Sequence, residues 1–267
     1  MLYFSSALQI LPDYSTSASN LFSSLADNGT SYQLLSATKD IWLRDFMPVR
    51  TRSDKYISFR YEPSYLSGFE DRQTDFRRDI APQFGLPVIY SDINLDGGNV
   101  VFSPSRERVI ISDRVYIENP NRDKAELVHE LAELLEAEVI IIPSLKSDMT
   151  GHADGMVRFV NESTVIGNDV PSKNGLEQRI KRTLRKYDIN VIDFPYQDDK
   201  GISAVGTYLN YLETDFCIFL PVFDIEMDAK AVTAASQVFS KRIVPVNIRE
   251  IAKQGGCLNC ISWEMPE

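Results

Sequence analysis

No run of the 267-residue sequence approaches the roughly 20 apolar residues that a membrane-spanning helix requires. Positive charge is also scarce: 28 Lys and Arg stand against 38 Asp and Glu, a net charge of −10. Nucleic-acid binding needs clustered Lys and Arg to neutralise phosphates, so that class is excluded. The one basic stretch, Arg179 to Lys186, alternates with Ile180 and Leu184 and reads as the solvated face of a helix. Cysteine is rare and odd in number (Cys217, Cys257, Cys260), which excludes a disulfide framework and points to a reducing, cytoplasmic compartment. The start, MLYFSSALQI, has no basic segment before its apolar residues, and reads as a first strand rather than a signal peptide. No Pro-, Gly- or Ser-rich linker interrupts the chain. Asn119–Asn121 and the stretch 171–175 are short enough to be turns, so residues 1–267 read as one domain.

What is present is a repeat. Short apolar strands, each after a helical or polar segment, centre on Leu35, Val88, Val139, Val191 and Val244, at intervals of 51 to 53 residues. A period of this size marks supersecondary units arranged as a solenoid or propeller. The helix before Val139 is the clearest, with Leu127, Val128, Leu131, Leu134 and Leu135 in one stripe. The spacing predicts further helices over Leu176–Tyr187 and Met227–Phe239, and a weaker, polar one over Asp71–Phe84. Tyr56–Phe59, Val100–Phe102, Val109–Ser112, Met156–Val160, Thr164–Gly167 and Phe216–Val222 supply further strands, giving each unit about three strands and one helix.

A reactive polar residue follows every anchor strand: Asp45, Asp96, His152, Asn210 and Cys260, in chain order. Strands running the same way in each unit would deliver all five to one end of the molecule. Each has a plainer reading when taken alone. Asp-Gly-Gly at Asp96 is most often a turn, and a single Cys is more often buried and inert than nucleophilic. Of the two histidines, His129 lies mid-helix among Glu126, Glu130 and Glu133 and reads as a surface residue. His152, in TGHADGMVRF with Asp154 two residues on, is the stronger candidate for chemistry. Cys257 and Cys260 could form half a zinc site, but no second such pair exists. Gathered around one axis, Asp45, Asp96 and Asp154 would demand a cation, either a divalent metal or a planar guanidinium held by paired hydrogen bonds.

The stretches DIWLRDFMP, LDGGN, GHADGMVRF, GTYLNY and GGCLNCISWEMP, in that order from about Asp40 to Pro266, resemble the guanidine-modifying pentein superfamily. The branch they resemble holds agmatine deiminases and bacterial peptidylarginine deiminases. The resemblance implies an α/β fold, a five-bladed propeller of pseudo-repeats. It also implies hydrolysis of a guanidine to a ureido group with release of ammonia, without a metal or other cofactor. Carried over by position, Cys260 is the nucleophile, His152 the acid and base, and Asp96 its support. Asp45 and Asp154 hold the guanidinium, with Asn210 and Trp42 as further substrate contacts. The partner implied is a small cationic guanidine, agmatine first, converted to N-carbamoylputrescine on a route to putrescine. A peptidylarginine deiminase, an amidinotransferase or a degenerate guanidinium-binding module are the alternatives, and a homodimer is one assembly left open. Asn259, Ser262 and Asp96 stand where the branch usually has His, Thr and Glu.

Overall fold

The computed structural model describes residues 1–145, 148–170, 175–199 and 201–266. Most of the turn expected at 171–175 lies outside the described residues. Two compact units result, one formed by residues 1–44 and 193–267, the other by residues 45–192.

All five anchors lie in strands: Tyr32–Leu35, Val88–Asn94, Glu138–Ile142, Asn190–Phe194 and Arg242–Asn247. Each is the terminal member of a three-stranded sheet, beside a central strand that also pairs with a third. In four of the sheets the anchor strand runs parallel to that central strand. The antiparallel partner lies on the other side, as where Arg108–Ser112 separates Val100–Phe102 from Glu138–Ile142. A parallel pair needs a crossover, and an α-helix supplies it in three of these four. Lys124–Leu135 shows why such a helix forms. The Asp123 side chain accepts from the N–H groups of Ala125 and Glu126 at 2.8 and 3.1 Å, capping the first turn. Leu127, Leu131 and Leu135 then bury one stripe against the sheet. Glu136 stops the helix in the left-handed region at φ 55°. Its carboxylate takes hydrogen bonds from Lys55, Ser53 and Thr51, which hold its pKa down at about 2 and tie the Thr51–Lys55 turn to the next repeat.

Helices at Leu176–Arg185 and Met227–Val238 are as expected, and Arg179, Arg182 and Arg185 of the former face solvent. The expected helix over Asp71–Phe84 is broken instead into a 3-10 turn at Glu70–Arg72, a π turn at Phe76–Ile80 and a 3-10 turn at Ala81–Gln83. Phe76 and Ile80 are the only apolar residues buried there, and Pro82 removes a backbone donor, so neither packing nor hydrogen bonding sustains a regular helix. In the first unit the initial strand, Leu2–Ser5, pairs parallel with Tyr32–Leu35 and antiparallel with Ser262–Glu264. The opening residues thereby anchor the segment that follows Cys260.

Candidate active site

In the unit formed by residues 45–192, two consecutive repeats place a reactive residue at the same point. Asp96 precedes the 3-10 turn Gly97–Asn99, and His152 precedes the 3-10 turn Ala153–Gly155. Their backbones match closely, with φ and ψ of −76° and 137° for Asp96 and −68° and 142° for His152. The Asn99 side-chain oxygen locks the turns together by accepting from Ser112 N at 2.8 Å and Ala153 N at 3.2 Å. Ser112 Oγ donates to Gly151 O at 2.6 Å, which fixes the entry to His152.

So placed, His152 Nε2 hydrogen-bonds Asp96 Oδ2 at 2.9 Å, and His152 Nδ1 lies 3.6 Å from Asp45 Oδ1. Asp45, in the short helix Leu43–Phe46, accepts a hydrogen bond from Gly98 N at 3.1 Å. All three side chains are buried, as is Asp154. Burial alone would push the His152 imidazole down. Asp45, the hydrogen bond and charge of Asp96, and Asp154 together outweigh it and lift the pKa from 6.5 to about 10. The imidazole is therefore charged at neutral pH.

Gly98 makes this closeness possible. A Cβ there would sit 2.6 Å from Asp45 Oδ1 and 2.7 Å from His152 Nδ1. Gly98→Ala must displace one of them, and displacements near 1 Å cost catalysis about 10²-fold. We expect that loss in kcat/KM together with a lowered Tm, measured by product release and thermal melting. An alanine variant matching the wild type in both would show that the cluster tolerates the extra methyl group.

In the unit formed by residues 1–44 and 193–267, the structure assembles the cysteine loop. Asn210 Oδ1 accepts from both Cys257 N and Cys260 N at 3.2 Å, and Asn210 O accepts from Asn259 N at 3.1 Å. Arg44 grips the loop as well: its N–H donates to Cys260 O at 3.1 Å and its Nε to Asn259 O at 3.3 Å. The Arg44 guanidinium also pairs with Glu264 at 2.6 Å. Gly255 adopts φ 108°, a region open mainly to glycine. At Gly256 a Cβ would meet Trp42 Cζ3 at 2.5 Å and Cys260 Cβ at 3.0 Å, so the indole lies over this glycine beside the cysteine.

The sequence-named residues thus fall into two groups, Asp45, Asp96, His152 and Asp154 in one unit and Trp42, Asn210 and Cys260 in the other. Asn210 contributes at least three hydrogen-bond acceptances to the cysteine loop itself. His129 is 76% exposed and lies 3.5 Å from Glu133, as its surface assignment requires.

The comparisons with known proteins agree with this arrangement of motifs. The profile of the Porphyromonas-type peptidyl-arginine deiminases matches residues 11–266. The chain belongs to that family. Among relatives of this deiminase family member, the agmatine deiminase of Pseudomonas aeruginosa is 26% identical over 185 residues, which cover 55% of this chain and 50% of that protein. The chain spans about half the length of the first curated relatives it matches. A solved C. jejuni agmatine deiminase superposes with a TM-score of 0.77 at 17% identity, covering 98% of this chain and 92% of the other. DDAH from Pseudomonas aeruginosa, complexed with citrulline, superposes with a TM-score of 0.62 at 12% identity, covering 98% and 97%. The fold is the α/β pentein fold that the motif resemblance implied, built here of five small mixed sheets.

Sequence reasoning missed Tyr65, whose hydroxyl donates to Asp96 Oδ2 at 2.8 Å. No signal in YEPSYL marks it, because nothing in that segment distinguishes it from Tyr61. Two aromatics of the matched motifs, Tyr208 and Trp263, are not available to a substrate amine. Tyr208 is fully buried with its hydroxyl committed to Asp228 at 2.7 Å, and Trp263 is buried against Tyr3. Both sit in the apolar interior of their own unit.

Proposed function

We propose that the chain hydrolyses a small cationic guanidine to a ureido product and ammonia, with agmatine as the preferred substrate. The observation that carries this reading is the buried imidazole ringed by Asp45, Asp96 and Asp154. Such a site disfavours an anion and favours a planar cation whose N–H groups pair with carboxylates. In this scheme residues 1–267 act as one catalytic domain, with Cys260 and His152 working on the same guanidinium.

The Cys260 thiolate attacks the guanidinium carbon and forms an S–C bond. His152, already protonated, donates its proton to the departing nitrogen as the C–N bond breaks and ammonia leaves. The neutral imidazole then takes a proton from water, whose oxygen attacks the cationic thiouronium carbon. As the C–S bond breaks, the new hydroxyl gives its proton to solvent, where the released ammonia becomes ammonium; the ureido product leaves, and Cys260 returns as thiolate and His152 as imidazolium. The steps need no cofactor. Asp45 and Asp154 hold the substrate cation and Asp96 orients His152, while Trp42 offers an aromatic face to the distal amine.

Arg44 bears on the choice of substrate. Its guanidinium is engaged by Glu264 and Asn259 O, so it serves the cysteine loop rather than a substrate carboxylate. A free arginine would then bring an uncompensated carboxylate toward an acidic cluster. An unpaired charge of this kind costs a few kcal/mol, or on the order of 10²-fold in specificity. We expect kcat/KM for agmatine to exceed that for free arginine by about 10²-fold, with a blocked arginyl peptide between them. Free arginine as the best of the three would overturn the substrate assignment. Ammonia release without an amine acceptor separates hydrolysis from amidino transfer.

A further inference from the structure

We propose that Tyr65 is a positioning residue for His152, acting through Asp96, whose Oδ2 it holds together with the imidazole. The proposal rests on the reading of His152 as the acid and base. Its geometry stands within one unit.

Asp96 Oδ2 receives two hydrogen bonds, from Tyr65 Oη at 2.8 Å and from His152 Nε2 at 2.9 Å. One carboxylate oxygen between two donors has little freedom to swing. The phenol ring also meets the imidazole edge to face, with centroids 6.4 Å apart and planes at 68°. Tyr65 is itself braced. The preceding residue, Ser64, donates its N–H to Glu118 Oε2 at 2.9 Å and its hydroxyl to Glu118 Oε1 at 2.8 Å. Arg114 closes the brace, donating Nη2 to Ser64 Oγ at 2.9 Å and Nε to Glu118 Oε1 at 2.8 Å. Arg114 and Glu118 lie in one short helix that begins two residues after Ser112, the residue that holds Gly151 next to His152. One segment therefore supports both donors to Asp96.

Burial, then the charges of Asp96 and Asp45, push the Tyr65 phenol well above its ordinary range, so it stays protonated and donates throughout the working pH range. A hydrogen bond to Asp96 draws off part of the negative charge that His152 feels. Tyr65 thereby tempers the imidazole as well as aiming it. The charged and titratable groups facing these two rings are Asp45, Asp96 and Asp154 around His152, with Tyr61 beside Tyr65.

The chain contains only two histidines, so NMR titration of the imidazole signals resolves His152 directly, with exposed His129 as the internal reference. In Tyr65→Phe the ring is kept and only the donor lost. The His152 midpoint should rise by about half a pH unit while that of His129 stays put. Ser64→Ala, which loosens the brace but keeps the phenol, should move His152 the same way and by less. An unchanged or lowered His152 midpoint in both variants overturns the proposal. This arm needs no turnover, so it decides the role of Tyr65 even if the wild type processes no guanidine, an outcome that would sink the proposed function alone. With an active wild type, Tyr65→Phe should lower kcat about 10-fold and leave KM within about twofold. A raised KM with unchanged kcat would make Tyr65 a substrate contact instead, and the positioning role would fall.

Discussion

Cys260→Ser should abolish turnover, lowering kcat at least about 10⁴-fold, while the protein stays folded. The chemistry sets the size of the effect. A serine hydroxyl is almost wholly protonated at neutral pH and attacks a resonance-stabilised guanidinium carbon poorly, whereas a thiol supplies an appreciable fraction of thiolate. The structure explains why folding should survive. The loop is held through the main chain of Cys260, whose N–H donates to Asn210 Oδ1 and whose carbonyl accepts from Arg44 N. Neither bond involves the sulfur, and serine nearly matches cysteine in volume. A buried hydroxyl in place of the thiol costs at most about 1–3 kcal/mol, so Tm should fall by less than about 10 °C and the protein should stay folded. Ureido release and a thermal melt measure both quantities. Mass spectrometry of acid-quenched wild type under saturating agmatine should show a covalent adduct on the peptide containing Cys260, absent from the serine variant. A serine variant retaining a tenth of wild-type activity would rule out thiolate catalysis.

His152→Gln should lower kcat by about 10²–10⁴-fold, the usual contribution of a placed acid and base. Its pH dependence is the sharper measurement. Burial depresses the imidazole, and Asp45, Asp96 and Asp154 more than reverse this, to about 10. A proton is therefore available for the leaving nitrogen at neutral pH, and kcat/KM of the wild type should decline as pH rises through about 10. The glutamine variant should lack that limb. Stability follows the same proton. With the folded value raised above 6.5, charged His152 stabilises the fold fully below about 6.5 and progressively less as pH rises through about 10. The difference in urea midpoint between wild type and His152→Gln should thus be larger at pH 6 than at pH 10. A constant difference would mean that the acidic cluster does not hold the imidazole charged.

Repeat architecture was legible in the sequence because it is local. Leu35, Val88, Val139, Val191 and Val244 all fall in sheet strands, and the Leu127–Leu135 stripe forms the expected buried helix face. Burial at a fixed period leaves its trace in every copy. Asp71–Phe84 failed for the same reason, since only two buried apolar residues support it and Pro82 interrupts it. The reactive residue types were likewise visible at their places after the strands, as were the paired glycines that admit the Cys260 loop.

Partnership was not legible. The sequence marks Asn210 as polar and well placed, but only the folded unit shows its side-chain oxygen spent on Cys257 and Cys260. Arg44 reads equally well as a carboxylate receptor or a brace, and Glu264, 220 residues away, decides for the brace. Tyr65 carries no signal at all, and acquires its place through Asp96, 31 residues on, and through Glu118, which fixes Ser64. Composition and periodicity follow from what each segment buries against its own unit, so the sequence by itself determined the repeat, the residue types and the family motifs. Hydrogen-bond partners and the charge on His152 depend on atoms brought within about 3 Å by separate segments, and only the tertiary structure decided them.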